Sequence, residues 1–247
     1  MKMIRFIIIV LFLGIFFILS IPVFFVLWLI GKINPKAKAK SSLKIVQCAF
    51  KVVIFISGVK TTVIGFENIP KDEPVLFIGN HRGFFDIAIA YSMMPGLTGF
   101  VAKKEMNKVP FLRVWMRYVN CLFLDRDNIK EGLKTILQGI EYVKKDKVSI
   151  VIFPEGTRNK DDENIKPFKE GSFKIAEKSG CKIIPMVQNN TDAAFEKQFP
   201  RVRKVHTVIE FGKPIVLNEL SKEDQKTIGS YTHRIMVDMY ENNKNLV

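Results

Sequence analysis

The sequence predicts an α/β domain with a largely parallel central sheet flanked by helices, preceded by an N-terminal membrane-embedded helical segment. Three observations carry this expectation. From residue 61 onward, short runs rich in Val, Ile, Leu and Phe alternate with helical stretches, the pattern of strands buried on both faces. Residues 6–31 contain no charged side chain. The net charge of +14 is concentrated in the first 60 residues, which carry nine Lys or Arg and no Asp or Glu. The other 187 residues hold 29 basic against 24 acidic side chains. The expected division is residues 1–59 for membrane-associated helices and 60–247 for the α/β domain.

At about 1.5 Å per residue, the apolar run 6–31 would reach roughly 39 Å as one helix, enough to cross a hydrocarbon core of roughly 30 Å with tilt. A cleaved signal peptide fits poorly, because the run is too long and lysines follow it without a small-residue cleavage site. Pro22 could break the run into two pieces, each short for a crossing. A spanning helix and a bent, half-inserted hairpin both stay open. Next comes an amphipathic helix at about 42–58, with Lys40, Lys44, Gln47 and Lys51 as one polar stripe. Such a helix suits the lipid interface, where lysines meet anionic headgroups; the alternative is a core helix with one wet face. Five lysines between 32 and 44, against two basic residues before the run, put the following domain at the cell membrane on its cytoplasmic side if the run spans.

In the body of the chain, strands are expected at 61–65, 74–79, 97–102, 121–124, 148–153, 182–187 and 206–211. Helices are expected at about 86–94, 110–119, 128–145, 170–179 and 219–243. Three scattered cysteines, none in a C-x-x-C pair, argue against a disulfide framework or a zinc site. The basic excess lies beside the apolar run without interleaved stacking aromatics, which disfavours a nucleic-acid partner.

In a parallel sheet, ligands bind beyond the carboxyl ends of the strands. The stretch "NHRGFFD" (80–86) sits at such an end. A separation of five suits neither a helix nor a strand, so His81 and Asp86 can meet only if the chain bends, most easily at Gly83. Two readings apply: Asp86 caps the following helix, or it orients His81 as a general base. His206 and His233 look structural. There is no G-x-S-x-G elbow and no H-E-x-x-H, so the nucleophile is more plausibly a substrate hydroxyl and no metal site is expected.

The stretch "FPEGTR" (153–158) also follows an apolar run, and Arg158 on a glycine-containing turn could hold an anion such as phosphate. Lys103 and Arg126 end two further runs, so basic residues would converge on one sheet edge.

"NHRGFFD" and "FPEGTR" together resemble the N-H-x-x-x-x-D and F-P-E-G-T-R blocks of the 1-acylglycerol-3-phosphate O-acyltransferases, a family of glycerolipid acyltransferases. "VAKKEMNKVPF…FLDRDN" and "IIPMV" are similar to two weaker blocks, and the resemblance covers about residues 61–215 in the family's order. It implies that His81 is the general base and Asp86 its orienting partner. Lys103, Arg126 and Arg158 would contact the acceptor's phosphate; Glu155, Gly156 and Thr157 would shape the acceptor site; Pro185 would end a core strand. The implied donor is an acyl thioester of acyl carrier protein or coenzyme A, with membrane lipids as the other partners and no cofactor or metal. The family's glycines after the Pro-Phe pair and before the Asp-Arg strand are here Arg113 and Asn120/Cys121. A related acyltransferase using glycerol-3-phosphate or another lysophospholipid, and a non-catalytic basic membrane protein, are the competing readings; supplying each acceptor with one donor separates them.

Overall fold

The computed structural model describes residues 2–160 and 164–247. Two long helices come first, α1 (Lys2–Ile33) and α2 (Pro35–Ser57). They form a hairpin, broken where Asn34 caps α2 by accepting the Ala37 N–H at 2.9 Å and Pro35 takes the first helical position.

Seven strands then build one sheet: β1 (Lys60–Ile64), β2 (Leu76–Gly79), β3 (Thr98–Lys103), β4 (Leu122–Leu124), β5 (Ser149–Ile152), β6 (Ile183–Asn189) and β7 (His206–Phe211). Their order is β1-β7-β6-β2-β5-β3-β4, and every pair is parallel except β6 with β7. All seven expected strands are present. The helices of this region are α3 (Phe84–Met93), α4 (Leu112–Tyr118), α5 (Ile129–Glu141), α6 (Lys174–Ser179), α7 (Lys222–Lys226) and α8 (Ile228–Asn243). The single helix expected at 219–243 is therefore two.

The sheet is buried on both faces. Leu43 and Val46 of α2, Ile89 of α3 and Trp115 of α4 pack with Phe77, Val151, Ile184 and Ile209. On the other face, Ile175 of α6 and Ile228 and Met236 of α8 pack with Leu76, Ile150 and Ile183. Burial of continuous apolar strands between two helical layers is the main source of stability in such a fold. Pro185 does not end a strand; it is the third residue of β6. It is tolerated because the β6–β7 ladder is interrupted there, between the Met186–Phe211 pair and the isolated Ile183–Ile215 bridge, where no N–H is needed.

Helix α1 runs unbroken through Pro22, so of the two readings left open for the run, the one with a break at the proline is absent. The turns on either side of the proline are pinned: the Trp115 indole N–H donates to Ser20 Oγ at 2.8 Å, and the Tyr118 hydroxyl donates to the Phe24 carbonyl at 3.3 Å. Phe6, Ile9, Leu13, Phe16, Ser20, Val23, Leu27 and Ile30, at alternating spacings of three and four, are buried or half-buried along one face. On the opposite face Ile4, Leu11, Ile18 and Phe25 are all more than half exposed. In α2, Lys40, Lys44 and Lys51 are exposed as expected, but Gln47 turns inward. Its side-chain amide donates to the Tyr91 and Met94 carbonyls at 3.1 and 2.9 Å, capping the C-terminal end of α3.

Candidate active site

The strands β2, β5, β3 and β4 lie side by side and run the same way, so their carboxyl ends reach one edge of the sheet. This places "NHRGFFD" after β2 next to "FPEGTR" after β5, with Lys103 ending β3 and Arg126 just beyond β4.

Asn80 fixes the departure of the first loop. Its side-chain amide donates to the Gln188 carbonyl and accepts the Gln188 N–H, both at 2.8 Å, extending the β2–β6 pairing by one residue. The chain then turns, and α3 begins at Phe84 rather than at Asp86. His81 Nδ1 lies 2.8 Å from Asp86 Oδ2. The same oxygen accepts the Arg82 and Gly83 backbone N–H groups at 2.5 and 2.7 Å, while Oδ1 accepts the Thr191 hydroxyl. Asp86 thus caps the helix and holds the imidazole at once; the two readings of its role are one geometry. With Nδ1–H directed at this fully buried carboxylate, the Nε2 lone pair is left for chemistry. The imidazole is a sixth exposed and stacks on Phe153, with ring centroids 4.4 Å apart.

The second loop supports the first. Glu155 is buried, and its carboxylate accepts the His81 N–H at 2.7 Å and the Lys166 N–H at 3.2 Å. Burial pushes its pKa up, opposed by those two amides. The His81 carbonyl accepts the Asn159 N–H at 2.7 Å. Gly156 has φ +75°, the left-handed region that favours glycine, and its carbonyl is bound by the Arg126 guanidinium. Thr157 is exposed. Arg158 lies over the Phe84 ring at 4.1 Å, with Nη1 3.8 Å from Glu196 Oε1. Lys103 is exposed at the same edge, 3.5 Å from Glu105. The structure therefore gathers His81, Asp86, Glu155, Gly156, Arg126 and Arg158, and leaves Thr157 and Lys103 on the rim.

Sequence reasoning missed Asn80, Phe153, Asn159, Thr191 and Glu196 as parts of this site. Asn80 and Phe153 open the two motifs and Asn159 follows the second, so all three were within reach; Thr191 and Glu196 follow β6 with no motif to mark them. Arg82 is also buried here, paired with Asp192 at 3.1 Å. The other histidines are structural: His206 Nε2 lies 2.8 Å from Thr62 Oγ1, and His233 Nε2 lies 2.9 Å from the Ile165 carbonyl. Asn120, standing where a glycine is expected, adopts φ +60°, which asparagine tolerates better than most residues. The close backbone approach there is carried instead by Gly99, whose Cβ would meet the Asn120 carbonyl at 2.0 Å.

The sequence profile of a family described as "Acyltransferase" matches residues 60–189, about half of the chain, from β1 to the end of β6. The 1-acyl-sn-glycerol-3-phosphate acyltransferase of Saccharomyces cerevisiae is 31% identical over 201 residues, covering 81% of this chain and 65% of the relative. The protein of the same name from Borreliella burgdorferi is 31% identical over 156 residues, covering 63% and 62%. The chain thus spans just under two thirds of the length of each. The crystal structure of the 1-acyl-sn-glycerophosphate acyltransferase from Thermotoga maritima shares the fold, with a TM-score of 0.77, 24% identity, and coverage of 99% of this chain and 98% of that one. With the His81–Asp86 pair and the Glu155–Arg158 loop both inside the matched segment, the chain belongs to the acyltransferase family.

Proposed function

We propose that the protein transfers a fatty acyl group from a thioester donor to the 2-hydroxyl of 1-acylglycerol-3-phosphate, giving phosphatidic acid and a free thiol. The observation that carries this is the 2.8 Å contact between His81 Nδ1 and Asp86 Oδ2, which presents Nε2 as a base. Nε2 takes the acceptor's hydroxyl proton as that oxygen attacks the thioester carbonyl carbon. The negative charge on Asp86 stabilises the imidazolium that forms. The tetrahedral intermediate collapses, the carbon–sulfur bond breaks, and the imidazolium returns its proton to the leaving thiolate. Arg126, Arg158 and Lys103 hold the acceptor's phosphate, with Glu155, Gly156 and Thr157 shaping the acceptor site. The donor is a thioester of acyl carrier protein or coenzyme A. The names carried by the relatives support this acceptor.

Both the acceptor and the product are membrane lipids, and α1 is long and apolar enough to enter a bilayer. Its packing favours a helix lying in the interface over one crossing it. Side chains of the α/β domain pack along one face from Phe6 to Phe24, so a crossing would drag that domain into the hydrocarbon. The exposed apolar face would sink into the cytoplasmic leaflet. Phe195 touches both Phe6 on α1 and Phe84 beside the His81 loop, with ring centroids 5.8 and 6.2 Å away, which links the membrane face to the site.

The test supplies one thioester donor with lysophosphatidate, glycerol-3-phosphate or lysophosphatidylcholine, and identifies the lipid product. Phosphatidic acid from lysophosphatidate is the expected result. Turnover of either other acceptor in preference would replace the assignment.

A further inference from the structure

Glu196, in the short turn Glu196–Gln198 after β6, lays its carboxylate directly on the loop between β2 and α3. Oε1 accepts the Phe84 backbone N–H at 2.7 Å and stands 3.8 Å from Arg158 Nη1. A Cβ on Gly83 would come within 2.3 Å of Oε2, so the glycine is what admits the carboxylate this close. Oε2 is buried and has no donor among the described residues. The side chain as a whole is about four-fifths buried, and burial raises its pKa, opposed by the Phe84 amide and Arg158.

This is a poorly served anion. The Phe84 amide, the residue's own backbone N–H and one distant guanidinium answer the carboxylate, and Oε2 is left without a hydrogen bond, although a buried carboxylate needs several close donors. The Phe84 amide, at the N-terminus of α3, and the Arg158 guanidinium are the donor types that hold phosphate, and both attract a dianion more strongly than a single carboxylate charge. The guanidinium, stacked over Phe84, is already aimed at the space that the carboxylate fills.

We propose that Glu196 is an internal stand-in for the acceptor's phosphate. In the free protein its carboxylate occupies the Phe84 amide and Arg158; the acceptor's phosphate takes over both partners as the Glu196 side chain turns away. This rests on the acceptor reading above and adds a specificity-determining positioning residue to it. Competition with a carboxylate weakens the binding of an acceptor group that needs the Phe84 amide and Arg158. Only a group of higher charge at the right distance from the hydroxyl recovers the loss, so a neutral monoacylglycerol has nothing with which to displace Glu196.

The test is steady-state kinetics of the full chain in mixed micelles, at saturating thioester donor, for wild type and Glu196→Gln. Removing one charge-assisted competitor should lower the acceptor KM about tenfold, with kcat within about twofold and the donor KM unchanged. An acceptor KM that is unchanged or raised would overturn the proposal, since a carboxylate serving only to hold Arg158 or the α3 backbone predicts that result. A binding measurement needs no turnover. A short-chain lysophosphatidate should bind E196Q about tenfold more tightly than wild type, while the matched monoacylglycerol should bind both equally. If wild type makes no phosphatidic acid but this phosphate-specific gain appears, the acceptor assignment fails and the stand-in role holds. If wild type makes phosphatidic acid and no gain appears, only the stand-in role fails. Should circular dichroism show E196Q to be misfolded, Glu196→Ala is judged by the same binding pair.

Discussion

Glu155 accepts the His81 N–H through one carboxylate oxygen and the Lys166 N–H through the other, at 2.7 and 3.2 Å. One buried carboxylate therefore fixes the backbone of the base and closes the loop that follows β5. A glutamine there would turn an NH2 group toward one of the two donors. Glu155→Gln should cost about 1.5–3 kcal/mol of stability, the range for a hydrogen bond to a charged group. It should also lower kcat, because His81 would lose its backbone anchor. Urea denaturation and initial rates on the same preparation check both; a variant as stable as wild type would refute the buried-anchor role.

His81 and Asp86 should separate in their effects. His81→Ala should lower kcat by about 10² to 10⁴-fold and leave the melting temperature close to that of wild type. Asp86→Asn should lower kcat as well and also destabilise the protein by about 1–2 kcal/mol, because the same carboxylate caps α3. If Asp86→Asn kept full stability, Asp86 would be only an orienter.

Arg126 should act on binding. Replacing it with Ala should raise the acceptor KM by about 10- to 100-fold, the worth of a charge-assisted contact, with a smaller change in kcat. Lysine should restore little, because the guanidinium must also bind the Gly156 carbonyl in a fixed fork. A loss confined to kcat would contradict the phosphate-contact role.

Glu155 and Glu196 both have pKa values raised above the ordinary 4.5 by burial. The native state then holds their protons more tightly than the unfolded chain does. The stability they contribute is fully present below pH 4.5 and is lost as pH rises through the raised native values. A Glu155→Gln, Glu196→Gln double variant should be less stable overall, yet its stability should decline less over that window. Parallel pH profiles of the unfolding midpoint for the two proteins would contradict the shifts.

Helix α1 offers a geometric test. With cysteines placed at Met3 and Ile33, an impermeant thiol reagent should label both from the same side of a sealed vesicle; labelling from opposite sides would establish a crossing. Ile18→Asp, on the exposed face, should weaken vesicle binding while leaving the unfolding midpoint unchanged. Ser20→Ala, on the packed face, should cost about 1–3 kcal/mol by stranding the Trp115 N–H.

Much of the architecture was legible without coordinates because it rests on period and composition. Continuous apolar runs between helices announce a buried parallel sheet, and "NHRGFFD" and "FPEGTR" announce the site by their spacing and order. Less legible were features that depend on what lies opposite a side chain. Gln47 fits the polar stripe of α2 by position, yet it faces inward because the α3 carbonyls are there to be capped. Pro22 reads as a break in isolation, and Trp115 and Tyr118 from another helix hold the turns around it.

The sequence by itself determined that His81 and Asp86 can meet only across a bend, and that basic residues end several strands at one sheet edge. Both are properties of the backbone period and of chain order. Only the tertiary structure decided that Asp86 caps and orients at once, that Glu155 anchors the base, and that Glu196 stands against Arg158. Glu155 lies 74 positions from His81, and Glu196 lies 112 positions from Phe84. No local pattern encodes them, because which carboxylate finds which buried N–H is settled by the packing of the sheet.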